Sequence, residues 1–92
     1  MYEVIEASKL LDATSAKLKN QIGKQAPNYR RLFSWAESKE DAIGQCMANV
    51  LSDQTNLKII SISENKLTFS VECPVSKSVN TVEITYTATP IQ

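Results

Sequence analysis

Two periodicities divide the chain. From Ser38 onward, Ile43, Cys46, Met47, Val50 and Leu51 recur at the i, i+3, i+4, i+7, i+8 spacing that makes one apolar stripe on a helix of 3.6-residue period. Ser38 with Asp41 three residues later resembles a capping box, and Glu40 and Asp41 place negative charge where first-turn N–H groups leave partial positive charge. The spacing predicts an amphipathic helix over 38–51, whose stripe needs a partner surface. Ser52 to Asn56 is a polar cluster of residues that compete with helix hydrogen bonding, and it reads as a connection.

Beyond it the period changes to two. Leu67, Phe69, Val71 and Cys73 alternate with Lys66, Thr68, Ser70 and Glu72, and Val82, Ile84, Tyr86 and Ala88 alternate with Thr81, Glu83, Thr85 and Thr87. Both runs predict half-buried strands. Leu57 to Ser63 is β-prone with an ambiguous face. With Glu64-Asn65 as a two-residue hairpin loop, Ile62 falls opposite Leu67 and Ile60 opposite Phe69, leaving Leu57 and Ile59 on the outer face. Residues 74 to 80 form a longer hairpin loop and Pro90 closes the last strand.

Before Ser38 the pattern is read as helical. Val4, Ala7, Leu11, Leu18 and Ile22 lie close to one stripe of a long helix over 2–26, with Lys17, Asn20, Gln21 and Lys24 opposite. The alternative is a short strand at Tyr2 to Ile5 followed by a shorter helix capped by Ser8. Pro27 ends whatever precedes it and is able to open the next helix. Residues 28 to 36 predict a short helix with Leu32, Phe33 and Ala36 turned inward. The expected fold is α+β: two or three N-terminal helices followed by a three-stranded antiparallel β-meander, with a winged-helix-like arrangement as the alternative. At 92 residues one domain is expected, 1–92, with a helical part over 2–52 and the meander over 57–89.

Composition narrows the function classes by exclusion. A hydrophobic share of 42% with 22% charged residues is ordinary for a globular chain, and no apolar run approaches the roughly 18 residues of a membrane span. The acidic start, Met1-Tyr2-Glu3-Val4-Ile5-Glu6, is unlike a secretory signal, so a cytoplasmic location and no membrane partner are expected. Cys46 and Cys73 each fall on the apolar side of their element and are expected to be reduced and buried. Histidine is absent, which removes the commonest metal ligand and general base together, and two glycines cannot write a phosphate-binding loop. No metal, cofactor or catalytic residue is expected, and the protein is read as not an enzyme.

Charge distribution adds one positive feature. Equal totals of 10 basic and 10 acidic residues conceal a basic segment over 9–31, where Lys9, Lys17, Lys19, Lys24, Arg30 and Arg31 stand against Asp12 alone. With Tyr29, Phe33 and Trp35 close by, this segment has the means to hold a phosphate or stack a base. The binding candidates are therefore Lys17, Lys24, Tyr29, Arg30, Arg31 and Trp35, with Leu57 and Ile59 as candidates for a homodimer interface. Phosphate binding through the predicted 38–51 helix is disfavoured, because Glu40 and Asp41 at its start repel the backbone of a nucleic acid. The leading expectation is a small intracellular protein that masks a protein partner, of the inhibitor, antitoxin, immunity or anti-defence kind. The alternative is a nucleotide- or nucleic-acid-binding module that uses the basic segment.

Overall fold

Strands of 12 residues open and close the described chain, and they set its architecture. The computed structural model describes residues 1–24, 29–53 and 56–91. In order these are β1 (Tyr2–Ala13), a 3-10 helix (Ala16–Gln21), β2 (Arg30–Ser34), α1 (Lys39–Asp53), β3 (Leu57–Ile62), β4 (Lys66–Glu72) and β5 (Val79–Pro90). The strands form one sheet in the order β2-β1-β5-β4-β3, every neighbouring pair antiparallel.

This overturns the expectation of two or three N-terminal helices before a three-stranded meander, and with it the winged-helix alternative. The meander exists as β3-β4-β5, but β1 and β2 extend it to five strands, and α1 is the sole α-helix among the described residues. Of the stretch predicted as a long helix over 2–26, the first part is β1 and a later part the 3-10 helix, with residues 25 and 26 outside the described residues. β1 pairs with β5 from Tyr2↔Pro90 to Ala13↔Asn80, with a bulge between Leu10 and Asp12. The physical reason for the misreading is the composition of the inward positions. Tyr2, Val4, Glu6 and Ser8 alternate toward the helix side, yet two of the four are polar, so no apolar period of two survives. The helical spacing of Val4, Ala7 and Leu11 was coincidental: Val4 is fully buried, whereas Ala7 is only half-buried and Leu11 is exposed. Pairing between residues some 80 positions apart decided the state, as tertiary context routinely does.

The same holds for the short helix predicted over 28–36. Arg30–Ser34 of that stretch is β2, hydrogen-bonded to β1 with Val4 opposite Leu32 and Glu6 opposite Arg30. Phe33 therefore turns away from α1 and is 60% exposed, not inward as expected. Pro27 and the helix boundary assigned to it lie outside the described residues. After the 3-10 helix, Gly23 adopts φ +83° and donates its N–H to the Leu10 carbonyl at 2.7 Å, folding this turn back on β1 in a conformation that glycine enters without strain.

The predicted 38–51 helix is present. Ser38 caps its N-terminus: the Asp41 N–H donates to Ser38 Oγ at 3.1 Å and the Ala42 N–H to the Ser38 carbonyl at 3.0 Å. Ala42, Ile43, Cys46, Met47 and Val50 are buried against Val4, Leu67, Phe69, Ile84 and Tyr86, which makes the core. Leu51 is half-buried at its margin. The helix lies mainly over β5, β1 and β2. A 15-residue helix is about 22 Å long and strands of 12 residues run to about 40 Å, so α1 cannot cover the whole face. No described helix is long and apolar enough to cross a membrane.

The β3–β4 turn follows the expected hairpin, with the Ser63 N–H donating to the Lys66 carbonyl at 2.9 Å around Glu64-Asn65 and Ile62 opposite Leu67. A bulge between Ile59 and Ser61 then changes the rest of the register: Ile59, not Ile60, lies opposite Phe69, and Leu57 lies opposite Val71. Leu57 and Ile59 accordingly share the helix side of the sheet, contrary to the outward placement expected from an unbulged strand.

Candidate functional site

Ser34 fixes the geometry at the end of β2. Buried at 6% exposure, its hydroxyl donates to Gln45 Oε1 of α1 at 2.8 Å and accepts from the Ala36 N–H at 3.2 Å. These two bonds pin residues 34–36 against the helix while the intervening side chain, Trp35, stays out in water at 82% exposure. Beside it runs an open groove of about 560 Å³, lined by Trp35, Ala36, Glu37, Glu40, Asp41, Gly44, Gln45 and Ala48. Gly44 and Ala48 leave its floor low; a β-carbon at Gly44 would meet nothing within 4 Å. Three carboxylates line the groove and no lysine or arginine does. Glu40 and Asp41 complement the N-terminal dipole of α1, but nothing in the packing of the described chain accounts for a tryptophan left outside it.

The basic candidates separate. Arg30 and Arg31 are successive residues of a strand and so project to opposite faces. Arg30 Nε lies 3.4 Å from Glu6 Oε1 on the helix side, and Arg31 Nε lies 3.6 Å from Glu3 Oε2 on the other. Lys17, in the 3-10 helix, and Lys24, beyond it, are both exposed, and Tyr29 is 59% exposed just before β2. Of the predicted set, the groove takes in Trp35 alone. Both arginines are held by carboxylates of β1, which divides the basic segment.

Sequence reasoning missed a polar cluster in the core. Glu6 is 4% exposed and faces Tyr86 across the β1–β5 pair. Its Oε2 and the Tyr86 hydroxyl have no hydrogen-bond partner among the described residues. Burial, reinforced by the Glu6 carboxylate, pushes the Tyr86 phenol far above its ordinary range. Burial likewise raises the Cys46 thiol, with Glu6 adding to the effect. The apolar alternation of β5 carried no mark of this, since Tyr86 sits where any large side chain would fit.

The cysteines also differ from expectation. Both are free, but only Cys46 is buried; Cys73 is exposed just past β4. Hydrogen bonds from the Ser76 side chain and from the Ser76 and Val75 backbone draw the Cys73 thiol below its usual range. Among the described residues no group of three or more His, Cys, Asp or Glu side chains comes together as a metal site. Compared with known proteins, the chain matches no family model, no curated protein and no solved structure.

Proposed function

We propose that this is a non-enzymatic cytoplasmic binding protein that masks a protein partner, taking a cationic segment of that partner in the groove beside Trp35. The exposure of Trp35 next to Glu37, Glu40 and Asp41 carries the reading. Tryptophan is among the residues most enriched at the energetic centres of protein interfaces, where its ring fills a desolvated contact. An indole face attracts the ammonium or guanidinium of lysine or arginine, and three carboxylates supply the complementary potential. The same carboxylates oppose a phosphate backbone, so a nucleotide or nucleic acid fits this groove poorly. Two free cysteines accord with a reducing compartment.

Calorimetric titration with an arginine-rich peptide tests the reading. Saturable binding is expected, weakened about 30-fold by Trp35→Ala, the loss typical of an interface centre worth about 2 kcal/mol. Glu40→Gln with Asp41→Asn is expected to weaken it as well, and to flatten its salt dependence. Because Trp35 stands clear of the core, Trp35→Ala changes stability by no more than about 0.5 kcal/mol. Binding that Trp35→Ala leaves intact would contradict the groove as the site.

A further inference from the structure

The opposite edge of the sheet presents a different surface. Among the described residues β3 pairs on one side only, with β4, and Ile59, Ile60 and Ile62 are 47%, 55% and 53% exposed along it. We infer that β3 pairs with β3 of a second copy of this chain, antiparallel about a two-fold axis between Ile59 and Ile60, joining two sheets into one.

The backbone phase permits it. The Asn56 carbonyl accepts from the Glu72 N–H at 3.2 Å, and the Ser63 N–H donates to the Lys66 carbonyl at 2.9 Å, so both residues turn their polar groups toward β4. Alternation along a strand then turns the N–H and C=O of Leu57 and Ile62 outward, free to exchange hydrogen bonds with a new neighbour. Full overlap of the strand with its symmetry copy sets Leu57 opposite Ile62 of the second copy, Lys58 opposite Ser61 and Ile59 opposite Ile60.

Face matching singles out this register. In a regular strand, positions 57 and 62 project to opposite faces, so residues set opposite one another by full overlap would not share a face. The bulge removes that conflict. Leu57, Ile59 and Ile62 lie opposite Val71, Phe69 and Leu67 on the helix side, while Lys58 and Ser61 lie opposite Ser70 and Thr68 on the other. Leu57 therefore meets Ile62 on one face and Lys58 meets Ser61 on the other, and neither lysine faces its twin. Shifting the overlap by one residue in either direction sets Lys58 opposite Ile60 or Ile62. A bulge and a lysine commonly guard an edge against indiscriminate pairing. Here they leave the strand complementary to itself, which is what a two-fold interface requires.

Light scattering over a concentration series tests the inference, independently of the groove and with Trp35→Ala as the variant expected to leave the mass unchanged. The expected result is a mass rising from one chain to two, with slower hydrogen exchange at the Leu57 and Ile62 amides in the dimer. Ile62→Lys, at an exposed position, should hold the protein at one chain while its circular dichroism stays native; Ile60→Lys provides the same test should Ile62→Lys fail to fold. A mass of one chain at every concentration overturns the inference. So does a two-chain mass that persists in the folded lysine variant.

Discussion

Arg30 and Arg31 are adjacent, equally charged and both more than half exposed, yet their partners differ in a way that separates their energetic roles. Arg31 meets Glu3, whose side chain retains 30% exposure, whereas Arg30 meets Glu6, at 4%. An exposed pair contributes about 0 to 1 kcal/mol, because water screens it and two long side chains must be ordered. Removing the cation that pairs with a buried carboxylate leaves that carboxylate without its partner, at about 1 to 3 kcal/mol given how much of Arg30 remains in water. Arg30→Ala is therefore expected to lower the urea midpoint clearly and Arg31→Ala hardly at all. Equal effects would show that Glu6 does not depend on Arg30. Beside Glu6, the raised Tyr86 phenol gives the fold an alkaline limit. A phenol whose folded pKa lies above its unfolded value of about 10 holds its proton longer in the folded state, so its contribution is complete below about pH 10 and is lost as pH rises further. Cys46, also raised, begins the same loss from about pH 9. Urea midpoints are expected to fall above these values. Tyr86→Phe, which keeps the ring, should flatten the decline above pH 10; an unchanged decline would remove Tyr86 as its cause.

At the scale of elements, α1 depends on its own local pattern. Ser38→Ala is expected to cost about 1 kcal/mol through the lost N-cap, and Met47→Ala about 2 to 5 kcal/mol through the cavity left between helix and sheet. Thermal melting of the two variants checks the order. A neutral Met47→Ala would mean that α1 is not seated on its predicted stripe. That stripe was legible because 3.6-residue spacing and capping chemistry are written within 15 residues, and β4 and β5 were legible because their inward positions are nearly all apolar. β1 and β2 were not. Their inward positions include Glu6, Ser8, Arg30 and Ser34, polar groups that break the apolar alternation, and Glu6 and Ser34 are buried only because strand and helix partners elsewhere in the chain cover them. The β3 register failed for a smaller reason: one extra residue at Ile60 reversed the expected faces of Leu57 and Ile59, and nothing in Lys-Ile-Ile-Ser announces a bulge. At the candidate site the residue types were readable and their arrangement was not. Trp35 was singled out for its neighbours Arg30 and Arg31, but strand geometry sends those arginines to β1 and leaves the tryptophan with Glu37, Glu40 and Asp41.

At the scale of the molecule, the one α-helix and the five-stranded sheet of the described residues leave two unlike surfaces. Near β2 lies an acidic groove with an exposed indole; along β3 lies an apolar edge whose outward backbone groups have no strand partner among the described residues. A chain with a formal net charge of +0 thus offers a strongly directional surface to a charged partner, and local complementarity, not net charge, selects it. The sequence contains a single tryptophan, so its fluorescence reports on the groove alone. Titration of that fluorescence with an arginine-rich peptide, in parallel with a single-stranded oligonucleotide, is the most direct test of the proposed function. The expected result is a saturable change with the peptide that weakens with added salt, and none with the oligonucleotide. A response to the oligonucleotide without one to the peptide would contradict a cationic protein segment as the occupant of the groove.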